Sequence, residues 1–570
     1  MQVNPLTINT NLQLVLPEYG TLDKAFDGQA FVSIKGQLEL DGNPVDAAAL
    51  LAFLQASGIG PDSFRHVSGT FWVAYADGKG SVWLLNDHMG IQPCYYSRQG
   101  QCLYVASSLM HLKGLPEVTL TLSEQAIFNY FYFHCIPAPT TIYKQVEKLE
   151  PAKAVHWNSQ AEFSSLLCYC PRFTHEVNDD ARGYQQCLST LDGAVEKAIT
   201  PECGAFLSGG LDSSSVAGML SRHTAARTFS VGFEAKGYDE TEFALITAKH
   251  FNTQHEVLYL KPAQVADAFV KVAQYFDEPF GNSSAMAAYF CASFAKSHGV
   301  NKLLAGDGGD EIFAGNARYA KQKVFEPYLA LPAWLRAPLR GIFVGSPLSG
   351  LPGFKKVASY IRQAEVRLPG RLQTYNFIKQ LGAGGIFSAD FLAKVDQTLP
   401  ERQFSKRYHE CSSDRPIDAM LFLDWKFTLA DNDLVKVSKM CEMAGVEVAY
   451  PFLDKEMVDF SCTVPDSAKL PGQKLRHFYR QACRGFLADE TLDKEKHGFG
   501  LPFGVWMREN EQLRTLSLEM LQRFRERHIL SDSLIDQVLE AHKTVHASYY
   551  GELIWIIVVL ELWLQKHEDE

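Results

Sequence analysis

What the 570-residue chain lacks narrows its function before any motif is considered. It has no excess of positive charge: 54 Lys and Arg against 65 Asp and Glu leave a formal net charge of −11. That balance argues against a general nucleic-acid or membrane-surface binder and leaves room for a local basic groove. It has no CxxC pair among its twelve cysteines. Cys168 and Cys170 form a lone CxC with no His or Cys cluster nearby, so no zinc site is predicted and reduced thiols in the cytoplasm are. No signal-peptide pattern is present at the start, and no apolar run reaches the ~20 residues of a membrane span. The most apolar run, "LIWIIVVLELWL" (Leu553 to Leu564), is short and contains Glu561, which predicts a buried carboxy-terminal helix. Repeats, low-complexity tracts and long charge blocks are absent. What remains, 46% hydrophobic and 21% charged residues, is an ordinary globular composition with length for two or more domains.

Two halves read differently. Residues 1–170 contain short alternating runs ("AFVSIKGQLEL", "GTFWVAYAD", "SVWLLND", "QCLYVASS") separated by turn residues, with one inserted helix, "EQAIFNYFYFH". This predicts an α+β domain on antiparallel sheets. Composition turns polar across "PRFTHEVNDDARGYQQ", and a linker is expected at 171–182. From 183 to 570 apolar runs alternate with helical segments: "GAFLSGG", "TFSVGFE", "HEVLYL" and "KLLAGDGG". That pattern predicts a doubly wound α/β domain whose parallel sheet collects ligands at the carboxyl ends of its strands. After about residue 320 the chain reads as mostly helical.

Two motifs fall at such strand ends. In "FLSGGLDSSSVAGML" (Phe206 to Leu220) a strand, a glycine turn and a serine-capped helix follow one another. Glycines let backbone N–H groups approach an anion, and the helix start and hydroxyls add donors. Asp212 does not favour a bare anion, so it points to Mg²⁺ held between carboxylate and phosphate. In "AGDGGDEIFAG" (Ala305 to Gly315), Asp307, Asp310 and Glu311 crowd a glycine-rich turn that needs a cation to neutralise it. Together the two motifs predict a metal–polyphosphate site.

With both motifs in view, the chain resembles the asparagine synthetase family, within the ATP-pyrophosphatase fold. Further stretches carry the likeness in order: "FSVGFEAKGYDETEFALITAKHFNTQHEV", "DEPFGNSSA", "LVKVSKMCEMAGVEVAYPFLD", "KHGFGLPFGVW" and "GELIWIIVVLELW". The resemblance implies ATP and Mg²⁺ as cofactors and a two-step reaction. A carboxylate attacks the α-phosphorus of ATP, giving an acyl-adenylate and pyrophosphate; an amine then displaces AMP to form an amide. It implies that Ser208, Gly209, Gly210, Ser213 and Ser214 hold the phosphates and that Asp212 and Asp310 carry Mg²⁺. Leu207, Val231, Gly232, Ala305 and Gly306 would line the nucleotide pocket. Lys496 would neutralise charge at the reacting centre, Glu447 would be the base that accepts the amine's proton, and Asp307 would support it. The implied partners are small-molecule or peptide carboxylates and amines, with no nucleic acid or membrane, and the resemblance leaves a homodimer open.

The amino-terminal part resembles the family's glutaminase domain, an Ntn-hydrolase-like α+β sandwich, in degenerate form. The family's nucleophilic cysteine follows the initiating methionine; here Gln2 stands there, and the first cysteine is Cys94. The glutamine-binding motifs are missing too, "IKGQLELDG" being the nearest remnant. Glutamine hydrolysis is therefore expected to be lost, as in the β-lactam-forming and lasso-peptide-cyclising relatives. In the synthetase half, Ser438, Lys439, Cys441, Glu442, Ala449 and Arg476 depart from the family pattern, whereas the phosphate side does not. An acid substrate other than free aspartate is expected, and an amide ligase that does not use glutamine is the leading reading. Its alternatives are an ammonia-dependent asparagine synthetase and a non-catalytic nucleotide-binding regulator.

Overall fold

Strict alternation along the strand Val67–Ala76 builds the amino-terminal part. Trp72, Ala74 and Ala76 point one way, into a core with Leu14, Tyr96, Leu103 and Val105. Phe71, Val73 and Tyr75 point the other way, onto Leu50, Leu51 and Leu54 of the helix Ala47–Ser57. A two-residue side-chain period thus joins two sheets on one face and a helix on the other. The computed structural model describes residues 6–569 apart from 10–11, 159, 161, 235–237, 345–351, 375 and 495–499.

The larger sheet runs Phe163–Leu167, Lys153–Asn158, Ser81–Asn86, Val67–Ala76, Phe31–Leu40 and Asp23–Phe26, with Asn43–Pro44 paired to Phe31–Leu40. The second sheet runs Leu6–Asn9, Leu12–Val15, Cys102–Ala106, Tyr95–Gln99 and Val146–Lys148. Its outer face does not meet solvent. Tyr95, Tyr104 and Ala106 enter the same core as Phe128 and Phe131 of the helix Glu124–Phe133 and as Trp555 and Ile556 near the carboxy terminus. The two halves of the chain therefore share one hydrophobic core.

The second half is built on five parallel strands in the order Gln254–Leu260, Arg227–Phe233, Cys203–Phe206, Lys302–Leu304, Glu447–Ala449. By chain position this is 3-2-1-4-5, so the winding reverses between Cys203–Phe206 and Lys302–Leu304. A crevice opens outside the carboxyl ends at such a reversal. Both glycine-rich motifs begin there. The helix Leu211–His223 packs with Ala181–Ala198 and Thr241–Phe251, and Ala285–Ser297 packs with Leu434–Ala444.

The helix Ala181–Ala198 starts within the predicted linker: Asp180 caps it by accepting from the N–H groups of Arg182 and Gly183. The coil before it is pinned to the synthetase half through the N–H groups of Thr174 and Val177, which donate to the carbonyls of Cys462 and Thr463. The apolar run near the carboxy terminus lies in the 18-residue helix Ala547–Leu564. It is long and apolar enough to cross a membrane, yet it is packed in the core, and its Glu561 is ion-paired with Arg527 at 2.5 Å.

Candidate active site

The strand Cys203–Phe206 ends in Leu207 and Ser208, and the backbone then reverses at Gly209, whose φ is +70°. A Cβ there would meet the backbone of Phe243 and Ala244 at 2.4–2.5 Å, so only glycine fits. Gly210 then starts the helix Leu211–His223 without a side-chain cap. First-turn N–H groups have no intrahelical partner, which makes this turn a place for an anion. The Ser213 hydroxyl accepts from the Ser208 N–H at 3.1 Å and lies 3.0 Å from the Ser208 hydroxyl.

The second turn presses against the first. A Cβ on Gly306 would come within 2.6 Å of the Ser213 nitrogen, and one on Gly309 within 2.4 Å of Asp212 Oδ1. Their bare backbones let the two acidic turns touch. Arg476 joins them: its Nη1 lies 2.7 Å from Asp212 Oδ2 and 3.0 Å from Asp310 Oδ1. It does so from a left-handed backbone conformation, φ +53°, at the start of the helix His477–Ala482. Burial alone would lower the guanidinium pKa, but the two carboxylates outweigh it and hold Arg476 above its usual range.

Around this pair lies a cavity of about 400 Å³. Leu207, Ser208, Gly210, Asp212, Ser213, Val231, Gly306, Asp307 and Asp310 line it, as the sequence predicts. Its apolar wall includes Phe229, Ala287 and Val437, and its cations are Lys436, Arg476, Arg480 and Lys494. Lys436 donates to Asp433 at 2.7 Å, and Lys494 pairs with Glu240 at 3.0 Å. Asp307 is pushed up to about 6: burial dominates, Asp433 and Asp310 add to it, and Lys436 opposes it.

Other predicted residues are placed elsewhere. The Ser214 hydroxyl is fully buried, 2.9 Å from that of Thr247, and its N–H donates to the Gly210 carbonyl; it is a core residue and does not line the cavity. Ala305 is fully buried, with its N–H bonded to the Ala449 carbonyl. Gly209 and Gly232 shape the backbone beside the cavity without lining it. Glu447 opens the edge strand opposite Lys302, at the amino end of the parallel sheet, whereas both motifs sit at the carboxyl end. It is exposed and lines a different cavity, of about 570 Å³, between the two halves of the chain. Lys496 lies outside the described residues, as does Gln2.

That larger cavity collects most of the departures from the family pattern. Ser438, Lys439, Glu442 and Ala449 all line it. Lys439 pairs there with Asp277 at 2.9 Å and Glu442 at 3.1 Å, and the Ser438 hydroxyl lies 2.8 Å from that of Tyr450. Cys441 is fully buried core. Of the changed positions, Arg476 alone reaches the cavity between the acidic turns.

Two hard carboxylates converging on one cation position fit Mg²⁺, which takes one or two protein carboxylates and completes its shell with water and phosphate. Sequence reading missed Lys436, Arg480 and Lys494. Lys436 was visible as the lysine of "LVKVSK", but nothing local shows that it pairs with Asp433 in the cavity that Asp307 lines.

A family model described as "Asparagine synthase" matches residues 186–565, and one described as "Glutamine amidotransferase domain" matches residues 30–166. The chain is 26% identical over 498 residues to asparagine synthetase (glutamine-hydrolyzing) 1 of Bacillus subtilis, covering 85% of this chain and 76% of that protein. It is 25% identical over 488 residues to a putative asparagine synthetase (glutamine-hydrolyzing) of Mycobacterium tuberculosis, covering 84% and 73%. A protein of the same description, numbered 2, from Methanocaldococcus jannaschii is 30% identical over 302 residues, covering 51% and 58%.

Proposed function

The chain belongs to the asparagine synthase family, and from that premise we propose that it joins a carboxylic acid to an amine at the expense of ATP. A carboxylate oxygen attacks the α-phosphorus and pyrophosphate leaves, giving an acyl-adenylate. The amine nitrogen then attacks the acyl carbon, AMP leaves with the bonding pair, and the nitrogen gives up a proton. The observation that carries this reading is the meeting of two acidic glycine turns at the reversal of a parallel sheet, bridged by Arg476.

In this reading the N–H groups opening the helix Leu211–His223, with Ser208 and Ser213, receive the phosphates, and Arg476 and Lys436 set the charge around them. Mg²⁺, held by Asp212 and Asp310, would neutralise charge on the departing pyrophosphate. The apolar wall of Phe229, Val231 and Val437 suits a base and excludes water. Asp307 is the base we assign to the amine's proton: it lines the same cavity, and its raised pKa lets it exchange a proton near neutrality.

Glutamine is not the nitrogen source in this proposal. The family's glutamine-binding motifs are missing, and their nearest remnant, "IKGQLELDG", begins in the strand Phe31–Leu40. Cys94, the first cysteine in the sequence, is fully buried, and burial pushes its thiol far above the usual range, so it cannot act as a nucleophile. The acid we propose is other than free aspartate, because Ser438, Lys439, Glu442 and Ala449 gather at the cavity between the two halves while the phosphate side is altered only at Arg476.

The test pairs two measurements. Asp212→Asn is expected to cut pyrophosphate release about 100-fold or more without unfolding the protein. Glutamine supplied with and without ATP is expected to yield no glutamate above a blank. Equal pyrophosphate release by both proteins at saturating substrate overturns the site assignment; glutamate release by the full chain above the blank overturns the second claim.

A further inference from the structure

We propose that the helices Ala333–Phe343 and Pro352–Glu365, with the described residues beside them between Lys321 and Arg371, dock this protein onto an anionic lipid bilayer. The chain as a whole is acidic, but this stretch has nine Lys and Arg against two Asp and Glu. A net +7 therefore sits in a chain of net −11, and everything else carries −18. Of the fourteen large apolar side chains exposed among the described residues, seven fall between Val324 and Val366. Neither concentration would arise from a scattered surface, and the two coincide.

The helix Ala333–Phe343 shows how the surface is built. None of its residues is buried. Leu339 and Phe343 lean on a small core with Phe325, Tyr328 and Ile361, and Phe343 meets Phe354 of the next helix, Pro352–Glu365, at 5.2 Å. That contact satisfies one side. Trp334, Leu335 and Ile342, spaced by one, seven and eight residues, share another face and lie open, Trp334 at 72% and Ile342 at 51% exposure. Cations stand close to the exposed apolar residues in the chain: Arg336 follows Leu335, Arg340 lies two residues before Ile342, Lys355 and Lys356 precede Val357, and Arg367 follows Val366.

Trp and aliphatic side chains on one face with Lys and Arg beside them are what an interfacial helix needs. A bilayer takes up separate protruding side chains, whereas a protein partner needs a shaped complementary patch. Acid is scarce here, since Glu365 is tied to Arg340 at 3.2 Å and to the Tyr328 hydroxyl at 3.1 Å. Arg371 is buried beneath Phe325, but the other eight cations still outnumber the two acids, so two copies of this surface repel each other, which disfavours a symmetric dimer through this face. An anionic headgroup layer matches both the charge and the apolar side chains.

The full chain would be sedimented with vesicles of phosphatidylcholine alone and of phosphatidylcholine mixed equally with phosphatidylglycerol, at ~0.1 M and ~0.5 M NaCl. Binding to the mixed vesicles only, weakened by salt, is expected. Trp334→Ser combined with Ile342→Ser should weaken it about tenfold or more, and Lys355→Gln with Lys356→Gln about tenfold. All four side chains are exposed, so unchanged circular dichroism will show that the variants fold. Failure to bind mixed vesicles overturns the proposal, as does equal binding to both vesicle types or unchanged binding by both variants. Poly-glutamate binding as tight as that to vesicles would assign the surface to an acidic protein instead. Self-association without lipid that the Trp334 and Ile342 changes abolish would assign it to a second copy.

Discussion

Arg476 Nη1 lies 2.7 Å from Asp212 Oδ2 although 264 residues separate them in the chain. The same nitrogen reaches Asp310, so one guanidinium closes the gap between two turns that arrive from different strands. A monovalent side chain thus holds together the two carboxylates assigned to a divalent ion.

Stability should depend on that contact. Arg476→Met leaves two recessed carboxylates facing each other and is expected to destabilise the fold by about 3–5 kcal/mol. Asp212→Asn and Asp310→Asn, added to it, should restore part of the loss. Mg²⁺ should also raise the unfolding midpoint of Arg476→Met, since an ion that binds only the folded state stabilises it. Urea denaturation with and without Mg²⁺ checks all three; an Arg476→Met protein as stable as wild type contradicts the assigned role of the bridge.

The pH dependence follows from Asp307. Its pKa rises from 3.8 to about 6 on folding, mainly through burial. The folded state therefore holds the proton better: the stabilising contribution is present below pH 3.8 and is lost as pH rises through about 6. Asp307→Asn should be more stable than wild type above pH 6 and no more stable below pH 4. As a base Asp307 works ionised, so kcat/KM of the wild type should fall below pH about 6. A flat profile from pH 5 to 8 removes Asp307 from the proton transfer.

Neighbouring serines should behave differently. Ser213→Ala removes a hydroxyl that lines the cavity and bridges to Ser208, and ATP affinity is expected to fall about fivefold to tenfold. Ser214→Ala removes a core hydrogen bond to Thr247, costing about 1 kcal/mol of stability with ATP affinity unchanged. Calorimetric titration with ATP distinguishes them, and equal losses of affinity would put Ser214 back among the phosphate ligands.

Aspartate and ammonium together should be poor substrates. With ATP and Mg²⁺ present, asparagine and AMP are expected to form at a small fraction of the pyrophosphate rate seen with the true acid. Efficient, equimolar formation of both, saturating at low aspartate, would make the protein an ammonia-dependent asparagine synthetase.

Sequence alone settled the elements whose physics is local. Alternation named the amino-terminal strands, and "FLSGGLDSS" and "AGDGGDE" announced turns at strand ends because glycine and clustered acid there have few other uses. The apolar run with Glu561 read correctly as core, although the helix that carries it passes the length of a bilayer span, because it packs inside the protein with Glu561 paired to Arg527. Tertiary structure decided everything that depends on which ends meet. Ser213 and Ser214 are adjacent and chemically equal, but helix rotation of about 100° per residue sends one hydroxyl to the cavity and the other to Thr247. Glu447 looked suited to the site until the register opposite Lys302 put it at the far end of the sheet. Arg476 read only as a departure from the family pattern; the left-handed turn that aims it, and the strand order that brings Asp212 and Asp310 together, make it a bridge. Residue type and spacing carry local conformation, whereas long-range approach is set by sheet order, and no short stretch of chain encodes that.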